Sequence, residues 1–386
     1  MTGPRLPAEP GWTSVNGPEG LAPSEVELLL RLVGGGRAPN VAAARGWHLV
    51  RLRAGAGQGE GVYRLTGPGA DGKAASGSSL ILKILAAASP NDEAWRWNCQ
   101  QREPLFYGSD LPHGLTGLVA PRCLGVTQRQ DGTTWLWLED VADDAGAWPL
   151  ARYGLAAYHL GRFSGRFASA EALPDYPWLS RRWLRGWLEE ATGAIAELRT
   201  VQNNPAVQRV YKDADSILRL WDEREGRLNM LEHCPQTLCH LDAHRRNMFA
   251  RKAAGGEQTV FIDWAFAGVA AIGEDLASLV SATIALGEVA LSDIQELEAT
   301  VMEGYLEGLR DAGCRTDPEL VRLAYSLAAS LRLPVGAVRL VLPMLLDPGH
   351  HADVEQLHFG TPIEALFARW ATMNQHLIRL GDGLVQ

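Results

Sequence analysis

The sequence predicts an α+β chain of two unequal lobes: a small lobe with an antiparallel β-sheet and one helix, then a larger, mainly helical lobe carrying a β-hairpin. Three observations predict it. Strand-like runs dominate up to about residue 141. Beyond residue 142 apolar residues recur at three- and four-residue spacing, as on one face of a helix. A glycine-tipped pair of strand-like segments, 247–251 and 259–263, interrupts that helical region.

Residues 1–21 are rich in Pro and Gly without periodicity and are expected to form a flexible arm. Leu21 to Val33 reads as a short helix, with Ser24 as N-cap and Gly34-Gly35-Gly36 as its stop. WHLVRLR (47–53) and GVYRLTG (61–67) alternate, and SLILKIL (79–85) is a nearly continuous apolar run holding one lysine. Asp92 to Gly108 has a helical pattern that Pro104 disturbs. Strands are expected at 118–129 and 133–139, joined by Asp131-Gly132 in a tight turn with both central residues at positive φ. Helices are expected at 153–167, 178–198, 292–312, 317–332 and 362–380, the third opened by the capping box Ser292-Asp-Ile-Gln295. The expected division is an arm over 1–21, an N-terminal β-rich lobe over 22–141 and a C-terminal helical lobe over 142–386.

Of 386 residues, 46% are hydrophobic and 21% charged, so the chain is globular and not wholly disordered. The net charge of -9 makes it a poor general binder of nucleic acid or anionic membrane, both of which need a positive field. The five cysteines are odd in number and scattered, as expected of free thiols in a reducing compartment. No run reaches the roughly 18 apolar residues of a membrane span, and MTGPRLPAEPGW has no apolar core of a secretory signal. A cytoplasmic location is the expectation. Cys234, Cys239 and His240 lie close together, but Asp242 and Asn247 explain their segment better than a metal cluster does.

The chemistry concentrates in TLCHLDAHRRNMFARKAAGGEQTVFIDWAFAG, residues 237–268. A hairpin centred on residue 255 would pair Phe249 with Phe261, Met248 with Ile262 and Asn247 with Asp263, with a slip of one or two residues open. Opposed residues share a face with Cβ atoms about 5 Å apart. Asn247 and Asp263 would then offer an amide oxygen and a carboxylate to a hard cation such as Mg²⁺, which takes few protein oxygens and keeps phosphate and water ligands. Asp242, five residues upstream, is placed to accept a proton from a substrate hydroxyl.

His240-x-Asp242-x-x-x-x-Asn247, followed by an apolar strand ending Ile262-Asp263, resembles the catalytic and metal-binding loops of the aminoglycoside phosphotransferase family, small-molecule kinases with a protein-kinase-like fold. The resemblance spans roughly residues 45–280 and implies a bilobal protein-kinase-like fold, Asp242 as catalytic base and Asn247 and Asp263 as Mg²⁺ ligands. It also implies a strand lysine on the nucleotide phosphates with a helical acid to orient it; Lys83 and Glu103 match. Gly57 and Gly59, in a loop that departs from G-x-G-x-x-G, would cover the phosphates. Glu139 to Val141 would be the hinge whose backbone meets adenine, and Val62 and Ile81 would line that pocket or simply pack the core. Asp275, in Gly273-Glu274-Asp275-Leu276, would buttress the catalytic loop.

The resemblance implies an ATP- and Mg²⁺-dependent phosphotransferase, with GTP left open. The short stretch between Asp263 and Glu274 has no A-P-E motif, which favours a small hydroxylated acceptor over a peptide: an aminoglycoside or other antibiotic, a sugar or an amino alcohol. The acidic run 288–311 would suit a cationic acceptor, yet it reads more readily as a solvated helix face. Trp178, Trp183 and Trp187 likewise read as core before sugar platform. His244, Arg245 and Arg246 either touch the transferred phosphate or cap backbone carbonyls. Two other readings stay open, a catalytically silent nucleotide-binding regulator and a nucleotidyl transferase. The acceptor hydroxyl and the oligomeric state have no sequence signal.

Overall fold

The computed structural model describes residues 48–52, 59–66, 79–88, 93–113, 117–170, 173–358 and 360–383. The expected arm 1–21, the helix Leu21 to Val33 and Gly57 lie outside the described residues. The N-terminal lobe is a five-stranded antiparallel sheet in the order β1-β2-β3-β6-β5, from β1 (His48–Leu52), β2 (Gly59–Thr66), β3 (Ser79–Leu85), β5 (Cys123–Gln128) and β6 (Thr134–Glu139). Cross-strand register sets Val62 opposite Lys83 and Lys83 opposite Leu136, so these three share a face with Ile81 and Leu138. Leu65, Leu80, Leu82, Trp135 and Trp137 pack with Tyr63 and Ile84 on the other face. Both faces are packed, which is why SLILKIL does not alternate.

The Asp131-Gly132 turn differs from expectation. Only Gly132 has positive φ (86°). Asp131 instead accepts hydrogen bonds from the Thr133 amide and hydroxyl at 2.9 and 2.7 Å. The result is a longer loop with a single left-handed glycine. The expected strand 118–129 is also two pieces: β4 (Leu118–Val119) leaves the sheet and pairs with β10 (Gly256–Phe261), and only β5 stays.

The expected helix Asp92 to Gly108 shrinks to α1 (Arg102–Tyr107). Its upstream carbonyls are consumed by the fully buried Arg102, whose guanidinium donates to the carbonyls of Ala94, Arg96 and Trp97, and also to Trp178 at 2.8 Å and Ala265 at 2.7 Å. Pro104 falls in the first turn, where its missing N–H costs nothing.

In the C-terminal lobe α2 (Leu150–Gly165) packs along α5 (Ile294–Asp311). The expected helix 178–198 is broken into β7 (Ser180–Arg181), α3 (Trp183–Glu189) and a further helix, Thr192–Val201. Residues 180–181 are taken by a three-stranded sheet, in which β11 (Gly268–Ala271) runs parallel to β7 and antiparallel to β8 (Gln236–Cys239). A Cβ on Gly268 would lie 1.9 Å from the Ser180 hydroxyl, so only glycine allows this pairing. The capping box at 292–295 does not form: Ser292 turns to Asp293 at 2.6 Å, and α5 begins at Ile294 after a 3₁₀ turn. The helices that complete the site's surroundings are α4 (Glu274–Ala285) and α6 (Pro318–Arg332), the latter capped by Asp317 with Pro318 in its first turn. One buried core runs from Leu136 and Leu138 on the sheet through Trp264 and Leu276 to Leu377 in the C-terminal helix.

Candidate active site

The hairpin β9 (Met248–Ala253) and β10 is real, but each partner is one residue away from the expected one. Phe261 faces Met248 and Val260 faces Phe249, because the turn closes between Ala253 and Gly256. Asn247 and Asp263 are therefore not cross-strand partners. The residue between them makes the connection: the Ile262 amide donates to the Asn247 carbonyl at 3.0 Å. The Ile262 carbonyl accepts from His240 Nε2 at 3.0 Å. Asp263 then leaves the strand at φ 63°, a left-handed conformation that Asp tolerates better than most residues, and opens a 3₁₀ turn, Trp264–Phe266. Its side chain remains 37% exposed.

The catalytic-loop segment 240–247 is held from beneath. Asp275, buried at the start of α4, accepts from the His240 amide at 3.1 Å and the Leu241 amide at 2.6 Å. This is the buttress the resemblance implied. His240 accepts from the Asp242 amide at 3.2 Å through Nδ1 and packs edge-on against Trp264. Burial pushes its imidazole down to about 4, so the ring is neutral and ties the loop to β10. The Asp242 carboxylate accepts from Asn247 Nδ2 at 2.9 Å and from Arg332 Nη2 at 2.9 Å, with His244 Nε2 at 3.5 Å. Burial opposes its charge, but His244, Arg332 and His240 together hold the carboxyl well below the usual range. It is ionised at neutral pH.

Lys83 stands between two carboxylates, 2.5 Å from Glu103 and 2.6 Å from Asp263. Burial alone would discharge the ammonium, yet the two acids hold it protonated and above its ordinary value. Burial pushes the Glu103 carboxyl up, Lys83 pulls it back, and its other oxygen accepts the Trp264 amide at 3.3 Å. One helical acid thus contacts both the strand lysine and the turn that follows Asp263. The hydrogen bonds of the described residues join Asn247 to Asp242 and Asp263 to Lys83, not Asn247 to Asp263.

At the lobe junction the acidic side chains are occupied. Glu139 accepts from the Arg122 amide at 3.0 Å and from Arg251 at 2.7 Å, and Asp140 pairs with Arg64 at 2.7 Å. The Val141 amide has no hydrogen-bond partner among the described residues. Gly59 begins β2 at a bulge that separates it from Gly61. The structure also divides the three residues left undecided. Arg245 donates to the carbonyls of Met248 and Gly146 and pairs with Asp143, so it caps backbone. Arg246 meets Glu288 and the Leu357 carbonyl, both at 3.3 Å. His244 accepts the Arg246 amide and faces Asp242.

The acidic run does not converge on the site. Glu298 bonds Tyr325 and His376, Asp311 bonds Tyr158, and among the described residues Glu288 alone of the run is bonded to the catalytic loop, through Arg246. Trp178 and Trp183 are buried, as core residues are. Among the described residues no group of three His, Cys, Asp or Glu side chains is placed to hold a metal, and all five cysteines are free.

Sequence reasoning passed over Arg332 and Arg102. Both are arginines exposed by 7% or less, and each reaches far along the chain, Arg102 to Trp178 and Ala265 and Arg332 to Leu241 and Asp242. Glu274 was also unremarked. It is buried beside Asp275, and burial raises its carboxyl to about 7. Between about pH 4.5 and 7 the unfolded chain has lost this proton and the folded chain keeps it, so stability falls as pH rises through that window. Glu274→Gln is therefore expected to stabilise the fold at pH 8 by up to about 3 kcal/mol and to change little near pH 4. Urea denaturation at both pH values checks this; an equal effect at both would contradict it.

A β-sheet lobe with a lysine–glutamate pair, and a helical lobe with an Asp-Asn loop feeding a β-hairpin that ends in aspartate, define a protein-kinase-like fold. The family model described as the phosphotransferase enzyme family, APH, matches residues 112–320, more than half of the chain, and the chain belongs to that family. No curated protein sequence matches it significantly. Among solved structures, choline kinase from Cryptosporidium parvum Iowa II superposes with a TM-score of 0.56 at 12% identity, covering 94% of this chain and 96% of its own. A Plasmodium vivax ethanolamine kinase gives 0.49 at 11%, covering 91% and 86%. The aminoglycoside phosphotransferase APH(3'')-Id from Streptomyces rimosus gives 0.43 at 19%, covering 79% and 97%. The chain is a small-molecule phosphotransferase by family, a class that draws its phosphoryl group from ATP with a divalent metal. Among the described residues no helix is long and apolar enough to cross a membrane.

Proposed function

We propose that the chain transfers the γ-phosphoryl group of ATP to a hydroxyl of a small molecule, with Asp242 as base and Asn247 and Asp263 holding Mg²⁺. The observation that carries this reading is the frame around His240 and Ile262, which brings the Asp242–Asn247 pair and the Lys83–Asp263 pair to one place. The donor set fits a hard cation. Among the described residues Asn247 spends its amide nitrogen on Asp242, which leaves its amide oxygen, and Asp263 spends one carboxylate oxygen on Lys83 and keeps the other. When bound, Mg²⁺ supplies neutralisation of the charge on the transferring phosphoryl oxygens.

The chain's own residues do the rest. Asp242 accepts a hydrogen bond from the acceptor's O–H and takes its proton as the new O–P bond forms and the bond from the γ-phosphorus to the bridging oxygen breaks, releasing ADP. As an ionised, weakly basic carboxylate it acts chiefly by orienting the hydroxyl, which suits a loose transition state. Lys83, kept cationic, pairs with nucleotide phosphate oxygens, and Glu103 holds it in place. The Val141 amide, unpaired among the described residues, donates to adenine beside Glu139, whose side chain braces the hinge, while Val62 and Ile81 line the pocket. Gly59, at the start of β2, admits phosphate to the backbone. The lobe boundary falls after Val141.

The acceptor is a hydroxylated small molecule: an aminoglycoside or other antibiotic, a sugar or an amino alcohol. A screen for ATP consumption and thermal shift across aminoglycosides, other hydroxylated antibiotics, sugars and amino alcohols tests the reading. At least one compound should raise the melting point with nucleotide and leave as a monophosphate. Adenylate on the acceptor, or no transfer to any compound and no ATP hydrolysis, would contradict it.

A further inference from the structure

We infer that Arg332 is a positioning residue for the reaction: it aims the Asp242 carboxylate by holding the left-handed peptide in front of it. This rests on the reading of Asp242 as base. Leu241 is buried and has φ 65°, a left-handed conformation that brings an L-residue's Cβ too close to the following carbonyl oxygen. Something must hold it there. On one side the Leu241 amide donates to Asp275 at 2.6 Å. On the other, the Leu241 carbonyl accepts from Arg332 Nη1 at 2.7 Å. The second terminal nitrogen of the same guanidinium donates to Asp242 Oδ1 at 2.9 Å. A planar fork therefore spans the peptide before the base and the base itself, so the two cannot turn independently.

Arg332 is fixed in turn. Its guanidinium lies 4.3 Å from the Trp183 ring centre, and Trp183 stacks on Trp187 at 5.4 Å. The Trp187 indole then donates to the Arg332 carbonyl at 3.2 Å. The aromatic residues that read as core from sequence thus form the wall against which the arginine is set. Nothing places Arg332 on a reacting atom: Asp242 Oδ2, the oxygen it does not touch, faces Asn247 and His244. A lysine at 332 would keep the charge but has no planar fork to span both acceptors.

The test uses the full chain with Mg·ATP and water as acceptor, read as ADP release. Arg332→Met is expected to lower kcat about 10- to 100-fold, the range typical of partners that orient a functional ligand, with KM for ATP unchanged. Arg332→Lys should fall between, and it carries the test if the methionine variant fails to fold. In an Asp242→Ala background Arg332→Met should cause no further loss, since both act as one unit. Amide hydrogen exchange over 237–247 should quicken in Arg332→Met. Full turnover by Arg332→Met, an additive loss in the Asp242→Ala background, or unchanged exchange would overturn the inference. Full turnover by Asp242→Ala would instead overturn the reading of the base, and this role with it.

Discussion

Replacing Asp242 with alanine is expected to lower phosphoryl transfer by about 10²–10⁴-fold, the usual worth of a positioned general base, while nucleotide affinity stays within about twofold. The separation follows from where the contacts lie. Asp242 is bonded to Arg332, Asn247 and the His240 imidazole, whereas the groups assigned to the nucleotide, Lys83 and the Val141 amide, belong to the other lobe. The substitution strands Arg332 Nη2 in a buried setting, so some destabilisation accompanies it. Asp242→Asn keeps the shape and removes the charge, and it should be nearly as inactive. Steady-state kinetics with an acceptor from the screen, together with thermal shift by a non-hydrolysable ATP analogue, separate the two quantities. Undiminished transfer would remove Asp242 from the mechanism.

Asp263→Ala should have the second large effect, and of a different kind. At ordinary Mg²⁺ concentrations turnover should fall by at least about 10³-fold, as expected when a fixed charge at the transferring phosphoryl group is lost. The carboxylate now 2.6 Å from Lys83 also competes with phosphate for that ammonium. Its removal should leave nucleotide affinity without metal unchanged or higher, because Lys83 keeps its partner Glu103 at 2.5 Å. Calorimetric titration with the ATP analogue, with and without Mg²⁺, reads this: the variant should lose the metal-dependent gain in affinity. A gain equal to that of the native chain would mean that the metal is held elsewhere.

What was legible in the sequence is what local physics determines. The β2 and β3 strands, the α-rich second lobe, the hairpin and the helix capped at Asp317-Pro318 all carry their signals within a few residues. Lys83 was conspicuous because an ammonium in an apolar strand requires a buried partner. Where expectation and structure part, a distant group intervened. Arg102 draws carbonyls from 94, 96 and 97 into its own shell and shortens the helix there. The edge of β11 takes 180–181 out of a helical pattern. Each hairpin partner shifted by one residue because the turn closes between Ala253 and Gly256, half a residue before the centre at 255 that glycine content alone indicated. Arg332 reaches Asp242 across ninety positions, and no spacing rule encodes that contact.

Asn247 and Asp263, which no direct hydrogen bond joins, are expected to share one metal ion beside Asp242. A crystal structure of the chain with Mg²⁺ and a non-hydrolysable ATP analogue measures this most directly. The expected result is an octahedral ion about 2.0–2.1 Å from the Asn247 amide oxygen and from a carboxylate oxygen of Asp263, with phosphate and water oxygens completing the shell. An ion bound to the phosphates with neither side chain in its shell, or held by other residues of the chain, would contradict it.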